Sequence, residues 1–145
     1  MPENMNYIGL QMKIAIVMRE GLNPGLLANA AACIASGLFN REKDLLGEEI
    51  RGHDSMSGCI FIPITKIPIL IKKQTKPFLE ILKRAKNRKL KFMVFTKEAQ
   101  STSDYNEYVQ RVKGKKLSEI EVLGIGAIGE DSLIDQFSGD LPLLK

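Results

Sequence analysis

Apolar residues fall along this chain in short runs with two different periods. Four runs rich in β-branched or aromatic side chains predict strands at residues 13–20, 68–72, 91–96 and 119–126. Each is followed by a stretch with helical spacing, so strands and helices alternate four times. This alternation predicts a single three-layer α/β domain, whose small and largely parallel sheet is covered by helices on both faces.

The first strand leads into the most informative loop of the chain. Residues 21–25 hold two glycines, an asparagine and a proline, and an alanine-rich helix is predicted at residues 26–35. Its small side chains are expected to let the helix approach the sheet closely. Asn29 is the one polar residue of this apolar helix, so we expect its amide either to bond to nearby backbone or to contact a ligand.

The helix after the second strand has the clearest periodicity in the chain. Phe78, Ile81, Leu82 and Ala85 recur at i, i+3, i+4 and i+7, and Thr75 can cap the helix start. This pattern predicts an amphipathic helix that packs on the sheet.

Caps and stops mark the two remaining helices. Ser103 can begin a third helix that Gly114 ends, and a fourth is predicted to begin at residues 130–131 and to end at Gly139. One face of the third helix comprises Tyr105, Tyr108, Val109 and Val112.

Two apolar runs in the middle of the chain compete for one place in the sheet. Pro63 and Pro68 divide residues 58–63 from residues 68–72, and proline is rare in central strands because it cannot donate to the ladder. We expect only residues 68–72 to sit centrally in the sheet. Residues 41–57 are predicted to be an irregular loop, at most with a short helical turn.

Composition narrows the class of protein. The chain is 44% apolar and 26% charged, without an apolar run of membrane-spanning length, and is expected to be soluble and cytoplasmic. Residues 1–11 lack signal-peptide features and are expected to be a flexible or peripheral N-terminus. Cys33 and Cys59 have no metal-ligand spacing and are expected to be buried reduced thiols. No metal or cofactor is therefore predicted.

The net charge of +4 permits a polyanionic partner such as RNA. Residues 72–91 hold nine basic residues against the single acid Glu80, and they either bind phosphates by counterion release or form a solvated helix face. His53 lies in a polar loop and has a side chain that titrates near neutral pH. The three glycines within residues 124–129 match a dinucleotide-binding string, but their context favours close backbone packing.

Several segments together resemble a known family: the first strand with Arg19, the helix at residues 26–35, Glu98-Ala-Gln-Ser-Thr102, Val122-Leu-Gly-Ile-Gly126, Leu133-Ile-Asp135, and Gly139 with Leu141-Pro-Leu-Leu144. On these segments the chain resembles an uncharacterised bacterial family, domain of unknown function two thousand, whose fold is similar to that of peptidyl-tRNA hydrolase II. The resemblance implies a four-stranded mixed sheet with the last strand antiparallel. It also implies that residues 105–116 are an insertion relative to the hydrolases.

The same resemblance implies that the chain has lost part of the hydrolase site. Matching the helix start places Gly25 where the hydrolases have their proposed catalytic lysine, Asn29 at their glutamine and Ala32 at their histidine. Their Asp-Ala-Gly-x-Thr motif corresponds to the segment in which Glu98 and Thr102 keep a carboxylate and a hydroxyl. Half of the polar set is therefore expected to persist.

Three functions stay open. In the first, a cleft formed by Asn23, Gly25 and Asn29 of the helix start, together with Glu98 and Thr102, binds a small anionic or nucleotide-like ligand. In the second, the chain hydrolyses an ester such as peptidyl-tRNA, with Glu98 and Thr102 as candidate catalytic residues. In the third, it is an interaction module that forms a homodimer through an apolar sheet edge or face.

Overall fold

A four-stranded sheet lies at the centre of the computed structural model, which describes residues 11–52, 58–61 and 65–145. The described strands are β1 Met12–Met18, β2 Ile50–Arg51, β3 Ile60–Phe61, β4 Ile69–Lys73, β5 Lys91–Thr96 and β6 Val122–Glu130. The main sheet has the order β4-β1-β6-β5, and β2 pairs with β3 separately. Strand β1 runs parallel to β4, whereas β6 is antiparallel to both of its neighbours.

This topology confirms a mixed sheet whose last strand is antiparallel. The largely parallel pairing expected from the alternation of elements is wrong, because β6 enters between β1 and β5 and leaves β1 and β4 as the one parallel pair of that sheet.

Helices cover both faces of the sheet. Within the described residues they are α1 Pro24–Arg41, α2 Phe78–Asn87, α3 Lys97–Gln100, α4 Tyr105–Val112 and α5 Asp131–Ser138, with 3-10 turns at Lys43–Leu45 and Leu117–Glu119. Residues of α1 pack on one face of the sheet, and residues of α2 and α5 pack on the other. The described helices include none with the length and apolarity needed to cross a membrane.

Strand β1 is buried on both faces, as its continuous apolar run predicts. Ile14, Ile16 and Met18 face the core that α1 covers, while Ala15 and Val17 face the core beneath α2 and α5. The strand therefore joins the two halves of the core.

Strand β4 lies at an edge of the sheet, so the expectation of a central position is wrong. The segment after α5 closes this edge: Lys73 N donates to Pro142 O at 2.9 Å, and Leu144 N donates to Ile71 O at 2.9 Å. Leu141 is buried at the start of this segment. The chain thus pairs its own outer strand with residues from its far end.

Glycines of β6 allow α1 to approach the sheet closely. A Cβ built on Gly126 would lie 2.2 Å from Ile34 Cγ2, and one on Gly124 would lie 3.1 Å from Ile34 Cδ1. The interpretation of these glycines as packing positions is confirmed. The alanines of α1 contribute less than expected, because Ala30 is buried whereas Ala28 and Ala32 are exposed.

Two predicted caps are wrong. Helix α2 begins after Pro77 without a side-chain cap, so Thr75 does not cap it, and α4 is capped by Asp104 in place of Ser103. Thr96 caps α3 by accepting a hydrogen bond from Ala99 N at 3.2 Å.

The substitution Gly126→Ala tests the close approach of α1. We expect it to lower the free energy of unfolding by about 1–3 kcal/mol, because the new methyl group would overlap Ile34. Denaturant unfolding measures the loss, and adding Ile34→Ala should cost less in this background than in the wild type.

Gly25→Ala is the matched control, since its Cβ would meet Asn23 Oδ1 at an ordinary 3.5 Å. Alanine is also the better helix former, so the control should be neutral or stabilising. A Gly126→Ala variant as stable as the control would contradict the close packing.

Candidate functional site

The first turn of α1 is stabilised from within the chain. Asn23 Oδ1 accepts a hydrogen bond from Leu26 N at 2.9 Å, and Asn23 O accepts one from Leu27 N at 2.9 Å. Pro24, the first helical residue, has no N–H. Asn23 is therefore engaged as a helix cap, and Gly25 is exposed in the first turn.

Asn29 is exposed, which corrects the expectation that it lies on a face shielded from water. It follows Gly25 by one helical turn on the same exposed face. No hydrogen bond to its side chain occurs within the part of the chain that the structure describes, so a structural bonding role is not observed there. The amide is free to meet a ligand.

Asn29 borders a cleft between α1 and the edge strand β5. The cleft has a volume of about 290 Å³, and its lining is mostly apolar. We call it the α1–β5 cleft, and its lining residues are Asn29, Cys33, Ile34, Gly37, Met93, Val94, Phe95, Ala99 and Tyr108. These side chains include an amide, a thiol and a phenol but no charged group.

Thr102 lies beside this cleft. It lines a neighbouring cavity of about 230 Å³ together with Asp104 and Tyr105. Ala99 and Tyr108 line both spaces. Asn29 and Thr102 thus line two neighbouring spaces that Ala99 and Tyr108 separate.

Glu98 is directed to a different place. Its Oε1 accepts a hydrogen bond from Glu121 N at 3.4 Å, and it lines a charged cavity with Glu107 and Arg111. Glu98 is absent from the lining of the α1–β5 cleft. The carboxylate and the Asn29 amide, which the sequence places in one site, therefore border separate spaces.

Cations collect at the carboxyl end of β1. Arg19, directly after the strand, pairs with Glu121 at 3.3 Å, and Lys97 approaches the same carboxylate at 3.8 Å. Two cations thus share one acid at the end of the sheet where α1 begins.

Sequence reasoning missed Tyr108 and Cys33 as cleft residues. Cys33 is exposed, as is Cys59, so the expectation of buried thiols is wrong. The signal for Tyr108 was its place on the apolar face of a helix that the hydrolase resemblance marks as an insertion. An inserted helix with aromatic residues changes the rim of a site.

The described residues give no support for a metal centre. They contain no group of three or more histidine, cysteine, aspartate or glutamate side chains arranged to hold a metal ion. His53 lies outside the described residues.

The basic segment from Lys72 to Lys91 is mostly occupied by contacts within the chain. Side chains of six of its nine basic residues bond to carboxylates, an amide or carbonyls; these are Lys72, Lys73, Lys76, Arg84, Arg88 and Lys91. Lys83, Lys86 and Lys89 have no such partner in the described ranges. Fewer basic side chains of this segment are therefore available to bind phosphates than the sequence indicates.

Arg84 is the centre of these contacts. Its guanidinium donates to both carboxylate oxygens of Asp140, at 2.8 and 3.1 Å, and to Phe137 O at 3.1 Å. The hydrogen bonds from Arg84 hold the pKa of Asp140 below its usual value, although partial burial opposes this. Helix α2 is thereby tied to the end of α5.

Comparison with known proteins gives a family and a fold. A family model described as "Protein of unknown function (DUF2000)" matches residues 12–145. A solved structure of a protein of unknown function from Agrobacterium tumefaciens strain C58 is similar, with a TM-score of 0.80 and 20% sequence identity. The similarity covers 93% of this chain and 98% of that one. No curated protein matches the chain.

Replacing Asn23 and Asn29 one at a time should distinguish a capping side chain from an unpaired amide. We expect Asn23→Ala to lower the free energy of unfolding by about 1 kcal/mol, because Leu26 N loses its acceptor. Asn29→Ala should leave stability unchanged or raise it by a few tenths of a kcal/mol, since alanine favours an exposed helical position. Thermal and urea unfolding measure both, and a larger loss for Asn29→Ala would contradict its free state.

The pairing of Asp140 with Arg84 predicts a pH-dependent stability. Because the folded-state pKa of Asp140 is lowered, its contribution is present above the unfolded pKa of about 3.9 and is lost as pH falls through the folded pKa. At about pH 7, Asp140→Asn should cost about 1 kcal/mol, given that the carboxylate is partly exposed to solvent.

Unfolding experiments over a pH series, with Glu48→Gln as a control for the loss of one surface carboxylate, measure this difference. The difference between wild type and Asp140→Asn should vanish in acid. A difference that persists at about pH 2 would show that the carboxylate charge is not its cause.

Proposed function

Since this chain belongs to the DUF2000 family, whose description states no activity, we propose a function from the geometry of the α1–β5 cleft: it binds a small nucleotide-like ligand. The observation that carries the proposal is the exposed Asn29 amide, which has no partner in the described ranges, at the border of a mostly apolar cleft. Binding sites for small molecules commonly combine an apolar lining with a few polar groups that fix orientation.

The cleft lining favours the base of such a ligand over its phosphate. The Asn29 amide offers one acceptor and two donors, which match the hydrogen-bonding edge of a nucleobase. Tyr108 supplies an aromatic ring on which a planar base can stack. Among the described residues the lining has no charged side chain that would attract a bare anion.

The phosphate of the ligand would extend toward the start of α1. Gly25 lies one turn before Asn29 on the same exposed face, about 6 Å along the helix axis. A helix N-terminus carries a partial positive charge, and the cations Arg19 and Lys97 lie at this end of the sheet, each beside Glu121. Both features suit the anionic part of a nucleotide.

We also propose that the fold is that of peptidyl-tRNA hydrolase II. Support comes from the mixed sheet with its antiparallel last strand and from the helices on both faces. Binding is favoured over hydrolysis because Gly25 replaces the catalytic lysine that the resemblance implies, and because Glu98 bonds to Glu121 N away from the cleft.

Titration of the chain with nucleoside monophosphates, nucleosides and inorganic phosphate tests the proposal. A monophosphate should raise Tm and bind measurably in calorimetry, whereas phosphate alone should do neither. Asn29→Ala should weaken binding about tenfold, the loss of one hydrogen bond that exchanges with water.

Asn40→Ala is the matched control, because Asn40 is exposed on the same helix and lines a different cavity. It should leave the affinity unchanged. Equal affinities of the two asparagine variants, or no binding of any nucleotide, would overturn the proposed function.

A further inference from the structure

Helix α4 is amphipathic but has no buried residue. Tyr105 is 76% exposed, and the rings of Tyr105 and Tyr108 lie 6.4 Å apart on the same side of the helix. The main packing partner of α4 is α3, a helix of four residues. An apolar face at helical spacing normally packs against a core, whereas on α4 the residues Tyr108, Val109 and Val112 are only half-buried.

Two clefts that open to solvent flank Tyr108 on the tyrosine face of α4. The α1–β5 cleft lies on one side of Tyr108, and the 230 Å³ cavity with Thr102 lies on another. Inward movement of the helix would remove the apolar lining of these clefts from water, which is favourable. The helix therefore has both room and a driving force to move toward α1.

The two ends of α4 allow such a movement. Residues 101–104 form the turn that precedes the helix, and Gly114 follows it with φ +73° and open space where a Cβ would lie. Glu107 and Arg111 pair with each other on α4 at 2.5 Å, so their charges stay partnered when the helix moves as a unit. Neither end is fixed by a buried side chain of α4 itself.

We propose that α4 is a lid on the α1–β5 cleft. Turning about residues 101–104 and Gly114 brings Tyr108 toward Cys33 and Asn29 and closes the space that a ligand would fill. The proposal rests on the proposed function, because it describes how entry to that site is controlled. Hinge-like closure of this kind moves a rigid element between two positions.

The native Cys33 provides one half of a cross-link that reports closure. In a Cys59→Ser background, Tyr108→Cys places a second thiol on α4. A disulfide requires Cβ atoms about 3.5–4.5 Å apart, so the rate of bond formation reports how often α4 brings these two positions to that distance. Oxidation followed by mass spectrometry should show the intramolecular disulfide in the ligand-free protein.

Tyr105→Cys in the same background is the matched control. It lies on the same helix but outside the α1–β5 cleft, and its cross-linking to Cys33 should be at least about tenfold slower. If both thiols of the Tyr108→Cys protein react with N-ethylmaleimide and yet form no disulfide, the lid is refuted. Equal rates for the two variants refute it as well.

Added AMP distinguishes the lid from the nucleotide site. At about ten times the dissociation constant measured on the reduced Tyr108→Cys protein, which lacks the stacking ring, AMP leaves only about a tenth of the clefts empty and should slow the cross-link about tenfold. A cross-link that forms at the same rate although AMP is bound to this variant supports the lid and overturns the nucleotide site in the cleft. Absence of a cross-link together with Asn29-dependent AMP binding overturns the lid alone.

Discussion

The contact between α1 and β6 is the constraint on which the rest of the arrangement depends. Gly124 and Gly126 leave no room for side chains, and Ile34 and Leu38 of α1 fill the space above them. This contact fixes the rotation of α1 about its axis. Once Ile34 faces the sheet, Asn29 and Cys33 face the gap beside β5, so the packing of the core determines which residues line the cleft.

The elements of the fold could be predicted largely from the sequence, because β1, β5, α2 and α5 each carry a strong local period. The rotation of α1 could not. Its alanines are compatible with either a buried or an exposed position, and the glycines that decide between them lie about ninety residues further along the chain. Asn29 was therefore found as a candidate residue, but its exposure and its surroundings were not.

The basic segment shows the same limit for charge. A count of lysines and arginines ignores the partners that folding brings to them. In the folded chain, basic side chains of this segment bond to groups of α5 and of the segment after it: Asp140, Gln136 and the carbonyls of Phe137 and Leu141. These partners are 48–69 residues distant in sequence. Much of the positive charge serves to join helices, and its availability to a polyanion depends on tertiary structure.

The segment that covers β4 limits how copies of this protein can combine. An edge whose N–H and C=O groups are already paired cannot accept another strand, and in the four-stranded sheet, as far as the structure describes the chain, only the outer edge of β5 has no strand beside it. This sheet can therefore pair with one further strand, at β5. Association through the four-stranded sheet would stop at a closed pair of molecules.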